Sequence, residues 1–246
     1  MKMLAIDIGN SNIKCGVIEN GIVLESWVDQ TANAASVGKD LNRRDSHLPV
    51  ALCSVVPEAA RLLEQSFRKP DVRVSADAQK EIQGLYPGFG ADRVADAVAA
   101  KLLYGQGKNL IVIGLGTATV LTAISASGSF AGGLITLGLG STGQTLTSRI
   151  PQLPAISFDS LKMEGLGTNT ISSMSHGTFL AHLGALQSWI DCAQKALTGP
   201  AVIVAAGWWS GLVSKHFAGF NHVDAFLTLK GTYLIANQVL KEQAVT

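Results

Sequence analysis

Three stretches of this sequence combine residue types and spacings suited to phosphate chemistry. In the first, Ala5-Ile6-Asp7-Ile8-Gly9-Asn10-Ser11-Asn12-Ile13-Lys14, an apolar run ends on a carboxylate, and a glycine turn with short polar side chains follows. A tight glycine turn between strands aims backbone N–H groups into one concavity, which suits a phosphate. Asp7 at the strand end could hold a divalent cation or its water shell. A capped β-turn has much the same sequence, so one such stretch leaves both readings open. The second stretch, residues 110–124, has the same design around Gly116-Thr117-Ala118. The third is Gly90-Ala91-Asp92-Arg93, where Asp92 is either the N-cap of a helix or a proton acceptor for a nearby hydroxyl. Arg93 beside it offers a fork of donors that matches a carboxylate.

Position relates the first two stretches. Gly9 and Gly116 lie 107 residues apart, and so do the turns Asn20-Gly21 and Ser127-Gly128. A constant offset implies a duplicated pair of domains, residues 1–108 and 109–246, each with one phosphate loop. The duplication is imperfect, because Gly114 stands where the second half would repeat Asp7. Two such loops facing each other across a cleft can grip a polyphosphate from both sides.

The elements needed to position these groups are legible in the apolar pattern. Strands are expected over 3–6 and 13–23 with a hairpin at Asn20-Gly21, then over 50–56 and 72–74. Pro57 opens a helix over 58–69, and a loop rich in Gly and Pro over 84–90, containing Tyr86, leads into a helix over 92–104. The second half repeats the order, with strands near 110–114, 118–125 and 130–136 and helices over 142–149 and 171–197. A buried strand over 201–206 and a helix over 226–239 close it. Strands and helices in this order predict an α/β protein with mixed sheets flanked by helices.

The totals bound the function class. At 246 residues with 47% hydrophobic and 15% charged residues, the chain has ample core and is not a disordered one. A net charge of +1 without a basic run gives no reason to expect nucleic acid. Cys15, Cys53 and Cys192 are widely spaced and read as buried thiols in a reducing compartment. The uncharged stretch 110–126 is nearly long enough to span a bilayer, but its Gly, Thr and β-branched residues fit a buried hairpin better. A cytoplasmic protein without membrane contact is expected. The five histidines have no metal-ligand spacing, and no Ser/His/Asp arrangement is visible.

Taken in order, the motifs closely resemble those of type III pantothenate kinases. The resemblance rests on Asp7 to Ser11, Ser54 to Pro57, Gly90 to Arg93 and Gly116-Thr117-Ala118. It continues through Gly132-Gly133, Leu153-Pro154, Gly167 to Thr170 and Leu227-Thr228-Leu229-Lys230-Gly231. It implies the duplicated actin-like (ribonuclease H-like) fold, and phosphorylation of pantothenate by ATP with Mg²⁺ and a monovalent cation, K⁺ or NH₄⁺. It also implies a homodimer. Asp7, Gly9, Asn10, Ser11 and Lys14 would hold phosphates and, through Asp7, the metal. Gly116, Thr117 and Ala118 would form the second loop, and Asp92 would be the base. Tyr86, Gly90, Ala91, Arg93 and Thr170 would line the substrate. The departures are Gly114 and Thr122 in place of acids, Leu137 in place of a proline, and Trp208 in place of a glycine. They keep two alternatives in view: a non-catalytic homologue or partner subunit, such as one paired with a paralogue, and a kinase for another small hydroxy acid.

Overall fold

The computed structural model describes residues 1–159, 161–163 and 165–244. The chain forms two compact units. The first comprises residues 1–106, 128–130 and 226–246; the second comprises 107–127 and 131–225.

In the first unit, β1 (Lys2–Ile8) is the central strand of the sheet β3-β2-β1-β4-β5. It runs antiparallel to β2 (Asn12–Glu19) and parallel to β4 (Val50–Ser54). β3 (Ile22–Gln30) and the short β5 (Val72–Arg73) form the edges. The hairpin between β2 and β3 turns on Asn20 (φ 50°) and Gly21 (φ 82°), left-handed values matching the twist of the paired strands.

Strand alternation sorts the side chains onto two faces. Leu4, Ile6 and Ile8 join Ile13, Cys15, Val50 and Leu52 on one face. There they pack beneath α1 (Ala34–Arg44) and α2 (Pro57–Ser66) through Val37, Leu41, Ala59 and Leu63. Met3, Ala5, Ile18 and Ala51 occupy the other face, under α7 (Leu227–Gln243), whose Leu229, Tyr233 and Ala236 cover them. Asp7 continues the Met3–Ala5 row. It therefore enters the α7 face of the sheet, not solvent. Helix α3 (Ala91–Ala100) packs on α7 and runs into a wider turn over Lys101–Gly105, where one unbroken helix to residue 104 is expected from the sequence. The turn ends on Gln106 at φ 43°.

The second unit repeats the plan. Its sheet runs β10-β9-β6-β7-β8, the order of the first with each strand's counterpart in place. The strands are β6 (Asn109–Leu115), β7 (Ala118–Ile124), β8 (Phe130–Leu137), β9 (Ala201–Ala206) and β10 (His222–Val223). Ile111, Ile113 and Leu115 alternate onto the face covered by the long α5 (Thr170–Ala196) through Phe179, Leu186 and Ile190. α4 (Leu139–Arg149) starts three residues earlier than its sequence suggests, because Gly138 takes the N-cap position. α6 (Ser210–Val213) and β10, both very short, carry no periodicity that could reveal them.

The terminal helix is where the expected halves and the compact units part. Sequence order places α7 with residues 109–246, yet it packs on β1, β2, β4 and α3 of the first unit. Among the described residues no helix is long and apolar enough to cross a membrane.

Candidate active site

The first loop is closed by its own backbone and braced by one side chain. Gly9 N–H donates to the Asn12 carbonyl at 3.0 Å, and the Thr31 hydroxyl donates to the Gly9 carbonyl at 2.7 Å. Asn10 and Ser11 are exposed at the tip. Asp7, just before this loop, is 7% exposed. Its strand neighbours are Lys14 on β2 and Cys53 on β4, each directly opposite it. Burial is the main cause that pushes the Asp7 carboxyl up to about 6. The positive charge of Lys14 opposes that rise, the negative charge of Asp92 adds to it, and a hydrogen bond with the Cys53 thiol opposes it.

Asp92 is not the helix N-cap. Gly90 takes that position without a side-chain bond, and Asp92 lies in the first turn, where its Oδ1 accepts from the Arg93 N–H at 2.8 Å. A Cβ at position 90 would stand 2.6 Å from that oxygen. The glycine thus leaves room for the carboxylate to fold back over the helix start, where the positive end of the dipole favours an anion.

Arg93 is almost wholly buried in an aromatic setting. Its Nη1 donates to the Tyr86 hydroxyl at 2.9 Å, and its Cζ lies 4.0 Å from the Phe89 ring centroid. Tyr86, Phe89 and Phe130 meet edge-to-face with centroids 5.1–5.9 Å apart. Phe130 escapes sequence reasoning because it lies in the β7–β8 hairpin, whose residues 128–130 belong to this unit.

One titratable residue near Asp92 also went unremarked in the sequence. Asp96, one helical turn further along α3, is buried, and its Oδ1 accepts from the Thr228 hydroxyl of α7 at 2.8 Å. Burial pushes its carboxyl up to about 7; the Thr228 bond opposes that, and the charges of Asp92 and Asp7 add to it. An acid inside an Ala- and Val-rich helix reads from sequence as an ordinary polar position; only the fold turns it inward.

In the second unit, Gly116 N–H donates to the Ala118 carbonyl at 3.0 Å, closing the turn one residue sooner than Gly9 does. Thr117 and Ala118 are exposed. The start of α4 backs this loop: Gly138 N–H and the Ser141 hydroxyl both donate to the Thr117 carbonyl, at 2.8 and 2.7 Å. Gly114 pairs with Val120 on β7, so this unit has neither the acid nor the amine of the Asp7–Lys14 pair. Thr170 is the exposed first residue of α5, whose N-cap Asn169 makes a capping box with Ser172. Trp208 is 63% exposed, whereas Trp209 packs on Phe158 and against Gly140. His182 is a buried core histidine bonded to Thr119 at 3.2 Å, and burial lowers its pKa.

A family profile described as type III pantothenate kinase matches residues 3–191. A type III pantothenate kinase of Anaeromyxobacter dehalogenans is 31% identical, over 95% of this chain and 98% of its own. One from Dehalococcoides mccartyi is 28% identical over 95% of both. A solved ROK hexokinase of Thermus thermophilus superposes with a TM-score of 0.52 at 15% identity, covering 98% of this chain and 100% of that one. That likeness bears on fold alone, and the fold is the two-unit, actin-like α/β one. The match over most of both lengths, on a duplicated fold bearing the motifs in order, identifies the chain as a member of the type III pantothenate kinase family.

Proposed function

We propose that this chain transfers the γ-phosphoryl group of ATP to the primary hydroxyl of pantothenate, giving 4′-phosphopantothenate for coenzyme A synthesis. The observation that carries the proposal is Asp92, held at the open start of α3 within electrostatic reach of Asp7, in a chain matched along its length to kinases of this substrate. Asp92 accepts the hydroxyl proton as that oxygen bonds to the γ-phosphorus. The bond from phosphorus to the bridging oxygen then breaks, and ADP leaves. Transfer of this kind depends mostly on positioning and charge neutralisation. Arg93, stacked on Phe89 and tied to Tyr86, binds the carboxylate or amide end of pantothenate, and Thr170 is a further substrate contact by the family resemblance. Gly9, Asn10, Ser11 and Lys14 hold phosphate oxygens in one unit; Gly116, Thr117 and Ala118 do so in the other.

Mg²⁺ fits the donor set. Among the described residues no group of three or more His, Cys, Asp or Glu could cage a metal. Magnesium needs no such cage, because it binds through one or two carboxylates plus waters and substrate phosphates. Asp7, a desolvated carboxyl beside the first loop, would hold it. Bound there, the ion would neutralise charge on the phosphates. The requirement for K⁺ or NH₄⁺ rests on the family resemblance, and the cytoplasmic location on three widely spaced cysteines read as thiols of a reducing compartment. The homodimer likewise rests on the family resemblance.

A second reading, a partner subunit with a degenerate nucleotide site, draws on Gly114 and the exposed Trp208. Coupled measurement of ADP release with and without pantothenate, at millimolar Mg²⁺ and K⁺, separates the two. Pantothenate-dependent ADP release is expected. Its absence, with nucleotide binding also absent, would favour the partner subunit.

A further inference from the structure

The closing motif Leu227-Thr228-Leu229-Lys230-Gly231 has no role in the chemistry above. The fold puts it in the first turns of α7, against the elements that carry both acids. Leu229 reaches the sheet beside Gly16, where a Cβ would stand 3.1 Å from its Cδ1. Gly231 lies so close to α3 that a Cβ there would overlap the Ala95 carbonyl. Just before them, Thr228 donates its hydroxyl to Asp96 at 2.8 Å, a buried bond joining residues 132 positions apart. One turn on, the Thr232 hydroxyl donates to the Thr228 carbonyl at 2.8 Å and borders the Cys53 thiol, which in turn bonds to Asp7. A polar rib on α7 thus touches each acid's element through one intermediary: Asp96 on the Asp92 helix, and Cys53 beside Asp7.

Adhesion does not call for such a rib. A well-packed apolar pair would hold two helices without burying a carboxyl, and buried polar pairs are best attested where they fix register. Helices that meet backbone to backbone can slide and rotate, and a single directional bond removes that freedom. We infer that Thr228 is a positioning residue for phosphoryl transfer: its hydroxyl, through Asp96, fixes the rotation and register of α3 and so the place of the Asp92 carboxylate relative to Asp7. The inference rests on the kinase reading of this site.

The test uses the full chain with four variants: Thr228→Val, Thr228→Ser, Asp96→Asn and, as a control on the same helix, Leu240→Ala. Thr228→Val keeps the shape and removes the donor. It should lower kcat roughly tenfold or more, the scale of a misplaced reacting group, with KM for ATP within about twofold. Thr228→Ser and Asp96→Asn keep the bond and should retain most of kcat. Leu240→Ala should lower Tm without lowering kcat. Hydrogen exchange at the Val94 amide, which bonds to the Gly90 carbonyl at 3.0 Å, should quicken in Thr228→Val and not in Leu240→Ala. Wild-type kcat in Thr228→Val would overturn the proposal, as would a loss that Thr228→Ser fails to restore. Should Thr228→Val fail to fold, Thr228→Ala, which leaves room for a water, carries the same comparison. A wild-type chain without pantothenate-dependent turnover would defeat the kinase reading instead. The Val94 exchange would then decide this one, unchanged exchange overturning it.

Discussion

Replacing Asp96 with Asn should remove a large component of the pH dependence of stability between about pH 4 and 7. The groups around the Asp96 carboxyl include Thr228 from α7, Asp92 on its own helix, and Asp7, Lys14 and the Cys53 thiol from the sheet. Its pKa is raised from 3.8 to about 7, chiefly by burial. Raised above its unfolded value, the native carboxyl binds a proton between these limits while the unfolded chain does not. The native state then holds more protons, so stability falls as pH rises from about 4 through 7. Each pKa unit corresponds to about 1.4 kcal/mol, so the loss above pH 7 is on the order of 4 kcal/mol. Asn accepts the Thr228 bond without titrating, and the variant should lack this component. Urea unfolding of both proteins at several values from pH 4 to 8 measures the difference directly. The variant should gain on the wild type from pH 4 to about 7 and level off above that. Parallel curves would refute the reasoning, because they would mean that the Asp96 proton is bound equally in both states.

Asp92→Asn should fold normally and lose roughly 10²-fold or more in phosphorylation rate, the scale of a positioned base; near wild-type turnover would exclude that role. Arg93→Lys cannot both reach the Tyr86 hydroxyl with a planar fork and stack on Phe89, so KM for pantothenate should rise roughly tenfold. Gly138→Ala places a Cβ on the Gly116 carbonyl, and thermal unfolding should show a cost of about 1–3 kcal/mol together with weaker ATP binding. Gly114→Asp restores the missing acid and should tighten ATP by about 1–3 kcal/mol in Mg²⁺ but not in EDTA, taking an effective dielectric near 20; titration calorimetry under both conditions decides it.

What the sequence disclosed, and what it withheld, divides along physical lines. The duplication was legible because a glycine turn between buried strands has a local signature, and Gly9/Gly116 repeat it at a fixed distance. The register within the loops was not: Gly9 closes on Asn12 and Gly116 on Ala118, so Lys14 is matched by Val120 on the sheet, not by residue 121 as a uniform offset would have it. Asp92 and Arg93 were legible as a motif. The cap position was not, because Gly90 caps through backbone conformation alone. Asp96 and Thr228 were invisible for a deeper reason: each is unremarkable in its own helix, and their meaning comes from a contact across 132 residues that no local period encodes. For the same reason α7 seemed to belong to the half in which it is written.

That placement of α7 also bears on how the protein is made. Residues 1–106 emerge from the ribosome with Met3, Ala5 and Ile18 on a sheet face whose cover is residues 227–243. Translation must traverse the 137 residues from Gln106 to Gln243 before that cover exists, roughly 7 to 27 seconds at ordinary synthesis rates. Throughout that interval the second unit can complete itself, since apart from residues 128–130 its sequence is uninterrupted to 225. This face of β1 is therefore buried only when α7 docks, long after α1 and α2 can cover the other, and until then the nascent chain carries an apolar, carboxylate-bearing face that chaperones can bind.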